Sequence, residues 1–428
     1  MTGKLILLGL NELNFEFIKK YAEEGLLPNF KHLFDTYGYL ETTSENEYKL
    51  LEPWIQWTTV HTGKNYDEHQ VFRLGDIVSR KDLEQLWEIA EKKGHSVGAI
   101  SPFNADNRLK NPKFFVPDPW TETKASGESF VLAVSEAVSQ AVNDNAEGKL
   151  SKSSVLAMLK TYMKVVPVQS YFEYLSLFTK IKSMVGVKAI VLDKLLGDLF
   201  VHQWKKHQPD FSSLFLNSGA HLQHHYLFNS KAYEGDLKNP NWYCPQDQDP
   251  VYTILKEYDK VLGKLLAFGQ RIIISTGLHQ KPHKHLTYYW RIKEHKAFML
   301  KMGVSDFTNI FPRMSRDFLV EFDNEASAKY AEDKLNSFMA EKDAIKIFQV
   351  DNRGNSLFVE LVYPNDIPEG FNIVGDTTIE NFNQYLAFVA IKNGEHHGIG
   401  YFIDTAPQSK LPERFPLTQV YDEIVSSF

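Results

Sequence analysis

The feature that most constrains this chain is the way short apolar runs alternate with amphipathic stretches through its first third. Residues 5–8 (Leu-Ile-Leu-Leu) form a run with no polar alternation, followed by a helical pattern over 15–24 that stops at Gly25. A second helical stretch, 82–93, stops at Gly94 and leads into the apolar run 97–100. Runs without alternation read as strands buried on both faces, and the helices between them as crossovers, so the pattern predicts an α/β fold with a parallel sheet. The runs 211–216 and 271–275, the latter after a helical stretch over 250–268, continue it.

Between 127 and 207 the strand signal gives way to helical stretches at 130–142, 154–162 and 189–204. Residues 317–364 form a separate grouping: a strand at 318–322, a helix at 326–340, and two strands around the turn Asn352-Arg353-Gly354-Asn355. The expected organisation is an α/β core over 1–126, 208–316 and 365–428, a helical insertion over 127–207, and a small α+β subdomain over 317–364. Neither repeats nor low-complexity segments are visible, which argues against a solenoid.

Composition excludes several functional classes. With 47 basic against 54 acidic residues the net charge is −7, without a long run of either sign, so nucleic acid is not an expected ligand. Cys244 is the single cysteine, which rules out an intrachain disulfide and any multi-cysteine metal site. The apolar stretch 187–200 is broken by Lys188, Asp193, Lys194 and Asp198, so no membrane span is expected. The opening run is too short for a signal peptide, and the expected location is cytoplasmic.

Three histidine-rich stretches stand out: His221, His224 and His225; His279, His283 and His285; His396 and His397. Imidazoles are the usual neutral ligands of zinc, iron and manganese, and each stretch follows a strand-like run or sits in a loop beside glycine, where open α/β sheets place their sites. Each histidine also has a bland reading as a solvated loop side chain. After the first strand come Asn11, Glu12 and Asn14, read either as functional groups or as caps of the next helix. Glu52, beside Pro53, opens a stretch containing Trp54 and Trp57, which at a spacing of three also fit one buried helix face. Tyr289 and Arg291, in Tyr288-Tyr289-Trp290-Arg291, are the expected substrate contacts, with Trp54 as a third. The 30 Phe, 20 Tyr and 7 Trp suit a large core, a sugar-stacking surface or a homo-oligomer interface.

In order along the chain these pieces resemble the alkaline phosphatase superfamily, most closely its type I phosphodiesterase and nucleotide pyrophosphatase branch. Residues 5–14 with Gly25-Leu26-Leu27-Pro28-Asn29-Phe30 are similar to the family's opening strand and "G-x-L-P-N-L" segment. Thr62-Gly63-Lys64-Asn65 with His69 is similar to its "T-G-x-x-P-x-x-H-G" turn, and Leu86-Trp87-Glu88-Ile89-Ala90 with Gly94 to its "W-x-x-L-x-x-x-G" helix. Pro209-Asp210 followed by 214–224 resembles the strand ending in "D-x-x-x-H", residues 258–275 the helix and strand before "D-H-G", and 396–400 the closing histidine loop.

The resemblance implies an alkaline-phosphatase-like sandwich with a mostly parallel central sheet flanked by helices. It also implies two divalent metals held by aspartates and histidines, and a serine or threonine nucleophile. Here Asn11 stands at the first aspartate, Ala220 at the aspartate of "D-x-x-x-H", and Thr276 and Gly277 at the "D-H" pair. The nucleophile position falls on Leu51, Glu52 or Pro53, while His224 and His396 keep their ligand positions.

Two adjacent dications need several carboxylates to offset their charge, so the expectation is a single transition metal, zinc, manganese or iron. Its ligands would be His224 and His396, with His221 or His279, and Glu52 or Glu12. Glu52, Asn11 and Glu12 are the catalytic candidates. The implied function is a hydrolase or transferase acting on a phosphate- or sulfate-bearing metabolite or glycan precursor. A non-catalytic protein that binds a ligand or partner, and a metal-free acid-base enzyme, are the competing readings.

Overall fold

The computed structural model describes residues 3–143, 152–313, 316–407 and 410–428. Strands β1 (Leu5–Leu10), β2 (Leu40–Thr43), β3 (Val97–Ile100), β4 (Phe114–Val116), β5 (Phe211–Leu216) and β6 (Arg271–Ser275) join Ile399–Asp404 and Arg414–Pro416 in one eight-stranded sheet. Its order is Arg414–Pro416, β2, Ile399–Asp404, β6, β1, β5, β3, β4. The strands from β6 to β4 are all parallel, whereas Ile399–Asp404 runs antiparallel to both β6 and β2. The chain is therefore α/β with a mostly parallel sheet flanked by helices.

β1 is buried along its whole length, as an unalternating Leu-Ile-Leu-Leu run requires, and it lies between β5 and β6. The chain passes from β5 to β6 across β1, so β1 is a central strand and its carboxyl end lies at the middle of the sheet's rim. Helix α1 (Phe15–Glu23) follows, with Phe15, Ile18 and Ala22 among its buried residues and Asn14 as the cap accepting from Glu16 N at 2.9 Å. Helix α2 spans Pro28–Tyr37, and helix α3 (Pro53–Thr62) is buried on nearly every side chain. Gly9 makes the close approach of α3 to β1 feasible, because a Cβ there would stand 2.8 Å from the Trp57 ring and 2.7 Å from that of Phe215. The helix expected over 82–93 is confined to Leu86–Lys92, since Glu88 reaches back to Gln85 N at 3.0 Å and sets the start there.

The region expected to be helical contains Ser129–Asn143, Lys152–Val165, Tyr171–Thr179 and Val187–His207. The last of these packs on β3 and β5. Its Lys194 is buried between Glu173 and Glu257, at 2.8 and 2.6 Å.

The first compact unit comprises Met1–Gly235, Pro240–Pro282 and Gly394–Phe428; the second comprises Asp236–Asn239 and His283–Asn393. The second unit is wider than the 317–364 expected for a subdomain, and 365–393 does not join the α/β core. Its four-stranded antiparallel sheet gains a strand, Phe307–Pro312, before Asp317–Phe322, and its apolar core draws on Phe298, Met299 and Met302 upstream and Phe371, Ile373, Ile379 and Phe382 downstream. Asp317–Phe322 and Ser356–Leu361 alternate buried and half-buried residues, as one-sided packing under the helix Glu325–Ser337 requires. Among the described residues, no helix is long and apolar enough to cross a membrane.

His61 on α3 is 2% exposed, lies 4.6 Å from Trp87 and 5.9 Å from Trp57 between ring centroids, and its Nδ1 has no hydrogen-bond partner. Burial pushes its imidazole down to about 3 from 6.5. The unfolded chain therefore binds the extra proton first, so this stability is complete above pH 6.5 and drains away as the pH falls towards the folded value. Urea unfolding across that window should show an acid limb that His61→Phe flattens by about 1.4 kcal/mol per pH unit; an unchanged slope refutes the assignment.

Candidate functional site

Because β1, β5 and β6 are parallel and in register, with Gly9 opposite both Phe215 and Ser275, the segments that follow them leave the sheet at one rim. Ile399–Asp404 is antiparallel, with Phe402 opposite Ser275, so it begins at that rim and the residues before Ile399 are delivered there. This places Glu12 after β1, His224 on the helix Ser218–Tyr226 after β5, and His396 at the end of the strand Leu386–His397 in one place.

Glu12 Oε2 lies 3.0 Å from His224 Nε2 and 3.1 Å from His396 Nε2, and the two Nε2 atoms are 3.2 Å apart. Among the described residues this trio is the group of histidine and acidic side chains placed to hold a metal ion. Glu12 has φ +56°, a left-handed conformation that a side chain adopts at a cost of about 1–2 kcal/mol. The turn is held by Glu12 N donating to Thr276 O and by Gln280 N donating to Glu12 O, both at 3.1 Å.

The carboxylate is 2% exposed and well furnished with donors. Gln280 Nε2 donates to Oε2 at 2.6 Å, and Asn11 Nδ2 donates to Oε1 at 3.0 Å. Asn11 is in turn fixed by Trp57 Nε1, which donates to its Oδ1 at 2.7 Å, and by Asn217 Oδ1, which accepts from its Nδ2 at 2.7 Å. Burial by itself would raise the Glu12 carboxyl, but the His396 and His224 imidazoles outweigh it and hold the group well below the ordinary carboxylate range.

The histidine-bearing helix is anchored at its start. Ser218 N donates to Asp193 Oδ2 and Gly219 N to the Tyr258 hydroxyl, each at 2.8 Å, and that hydroxyl donates to Asp193. Burial pushes Asp193 up to about 6. Gln223, one residue before His224, binds the glutamate turn in both directions: its Nε2 donates to Glu12 O at 2.9 Å and its Oε1 accepts from Asn14 N at 3.1 Å.

The other candidates take different places. Glu52 stands at the N-cap position of α3 without a side-chain capping bond, half-buried, with Oε2 3.7 Å from His396 Nδ1, the ring nitrogen turned away from Glu12. His221 is exposed and meets His225 with ring centroids 4.9 Å apart, outside the trio. His279 is not in a loop: it starts the strand His279–Ile292, its Nδ1 lies 2.7 Å from Ile399 O, and burial, with His397 beside it, pushes it down to about 4. Trp54 donates from Nε1 to Phe72 O at 2.8 Å, while Trp57, three residues on, is the indole that braces the site. Tyr289 and Arg291 belong to the second unit, where the Tyr289 ring lies 4.4 Å from the Arg316 guanidinium and Arg291 is exposed.

Sequence reasoning passed over Gln280, Gln223 and Asn217. Gln280 adjoins a singled-out histidine and Gln223 lies within the first histidine stretch, but amides carry no ligand signature of their own.

No protein-family profile matches the chain, and no curated protein matches its sequence. Among solved structures, phosphonoacetate hydrolase from Sinorhizobium meliloti 1021 is similar at 10% identity and a TM-score of 0.45, over 100% of this chain and 96% of that one. Human ectonucleotide pyrophosphatase/phosphodiesterase 5 is similar at 11% identity and a TM-score of 0.45, over 98% and 93%. The alkaline phosphatase of the Antarctic bacterium TAB5 is similar at 9% identity and a TM-score of 0.42, over 100% and 98%.

Trp57→Phe keeps an aromatic ring at the position but trims the indole and removes the donor to Asn11, leaving a buried amide oxygen unpaired. Denaturant titration should show a loss of about 1–3 kcal/mol; a change below about 0.5 kcal/mol would mean that the indole hydrogen bond does not brace the site.

Proposed function

We propose that the chain is a hydrolase or transferase of phosphate- or sulfate-bearing small molecules, glycan precursors among them, working with a single divalent metal held by Glu12, His224 and His396. The observation that carries this is the triangle of 3.0, 3.1 and 3.2 Å formed by Glu12 Oε2 and the two Nε2 atoms. Zinc bonds of about 2.0–2.1 Å set neighbouring donors about 3.3 Å apart, so the triangle is the size of one face of a coordination sphere, with further positions left for substrate. Two imidazoles and one carboxylate suit zinc, iron or manganese.

The chain's own groups fit that role. Glu12 Oε2 has a second lone pair beyond the one used by Gln280, and Asn11 and Gln280 fix the plane of the carboxylate. Glu52 Oε2 stands 3.7 Å behind His396 Nδ1, beyond hydrogen-bond distance but on the side from which a carboxylate supports a ligand histidine. A divalent ion there supplies Lewis-acid polarisation of a phosphoryl or sulfuryl oxygen. Being half-buried, the Glu52 carboxylate can also take a proton from an attacking hydroxyl or water. Asn11, with its oxygen facing the Trp57 indole, serves as a brace and not as a ligand.

A second reading, ligand binding without turnover, draws on the single carboxylate of the trio, which offers little to offset a second cation.

Calorimetric titration of chelator-treated protein with Zn²⁺, Mn²⁺ and Fe²⁺ should give one equivalent bound. His224→Ala and His396→Ala should abolish binding, and Glu52→Gln should weaken it about 10–100-fold. Binding of two equivalents, or of none, would overturn the single-metal site. Metal-dependent turnover of aryl phosphate, phosphodiester or sulfate esters, lost in His224→Ala, separates the enzyme from the binding protein.

A further inference from the structure

The helix Tyr171–Thr179 is fastened to the molecule by its polar atoms. Glu173 accepts from Lys194 Nζ at 2.8 Å and from Lys260 Nζ at 3.0 Å, and the Tyr174 hydroxyl donates to Asp198 Oδ2 at 2.8 Å. These partners lie on Val187–His207 and Pro250–Leu266. With its polar side inward, the helix turns Phe172, Leu175 and Phe178 outward, Phe172 at 81% exposure. A helix on a water-exposed surface shows the opposite amphipathicity.

Its neighbour Lys152–Val165 continues the pattern, exposing Leu156, Leu159 and Met163 at spacings of three and four, on one face. Tyr162 packs against Tyr171 and Tyr174 with ring centroids 5.0 Å apart, which ties the two helices together. Val168 between them is 70% exposed, and Ile181 beyond them is exposed as well. Of the 18 large apolar side chains exposed among the described residues, eight fall within 156–181, far beyond the single scattered residues that need no explanation.

The charges of the same segment are one-sided. Residues 156–188 carry Lys160, Lys164, Lys180, Lys182 and Lys188 against Glu173 alone, in a chain of net charge −7. Glu173 is spent on Lys194 and Lys260; all five lysines are exposed, and of them Lys164 lies 3.7 Å from Glu128, outside the segment.

We propose that this face seats on a lipid bilayer bearing anionic headgroups. The apolar side chains enter the boundary between headgroups and acyl chains, and the lysines pair with lipid phosphates and carboxylates. A second copy of the chain is the poorer occupant, because a two-fold contact of the same face would set lysines against lysines. The polar anchoring of Glu173 and Tyr174 makes the outward apolar face a built feature of the fold. The inference is independent of the metal reading.

The test is flotation of the full chain with vesicles of phosphatidylcholine containing about 30% phosphatidylserine, against phosphatidylcholine alone. The protein should float with the anionic vesicles, far less with the neutral ones, and detach partly at high salt. The pairs Phe172→Ser with Leu175→Ser, and Lys180→Glu with Lys182→Glu, should each cut the bound fraction at least about tenfold while circular dichroism and the melting temperature stay unchanged. Leu300→Ser, in the second unit, should have no effect. Wild-type protein that stays in the soluble fraction overturns the proposal. So does a concentration-dependent dimer in sedimentation that the Phe172 and Leu175 replacements dissolve.

Discussion

The antiparallel seating of Ile399–Asp404 beside β6 is the constraint on which the candidate site depends. In an all-parallel sheet, groups at the carboxyl rim come from residues that follow strands. Here one strand begins where its neighbours end, and His396 is brought from the far side of the sequence to face Glu12 and His224. The contact is locked by main-chain bonds that pass from one segment to the next: Thr276 N donates to Tyr401 O, and Glu12 N to Thr276 O, both at 3.1 Å. The glutamate turn is thus stitched to the reversed strand through the end of β6.

Holding a carboxylate in such a place runs against solvation. An ion moved out of water loses several kcal/mol unless its lone pairs are met. Glu12 has them met by two amides and faced by two imidazoles, and its backbone is held in a left-handed turn besides. Such a concentration of locally unfavourable choices persists only because the surrounding sheet over-determines it.

The sheet was readable in the amino-acid sequence because strands buried on both faces show as apolar runs, as in the Leu-Ile-Leu-Leu of β1 and the Ile-Ile-Ile of β6, while β5 keeps Phe211 and Leu214–Leu216 around two small serines. The site was readable in its two histidines, whereas its carboxylate was readable only as one of two alternatives, Glu12 or Glu52. Resemblance drew attention to Asn11 at the aspartate position, whereas the acid belongs to the next residue, turned inward by a positive φ that no local pattern announces. His279 and its neighbours looked like a loop because polar side chains mask the period of a strand, yet they begin the long strand His279–Ile292, paired with Leu386–His397. The reversed amphipathicity of Tyr171–Thr179 was equally hidden, since periodicity marks two faces without saying which of them looks outward.

The placing of β2 has a consequence for biosynthesis. Leu40–Thr43 finds its sheet partners in Ile399–Asp404 and Arg414–Pro416, so a strand made early waits for nearly the whole chain to emerge before it can pair. Until then β6 also lacks its neighbour on that side, and two bare edges coexist in the nascent protein. Sequence separations of this size slow folding and prolong the exposure of such edges, so the last strands act as the bolt that closes the sheet, and the constellation at its rim is completed in the same final step.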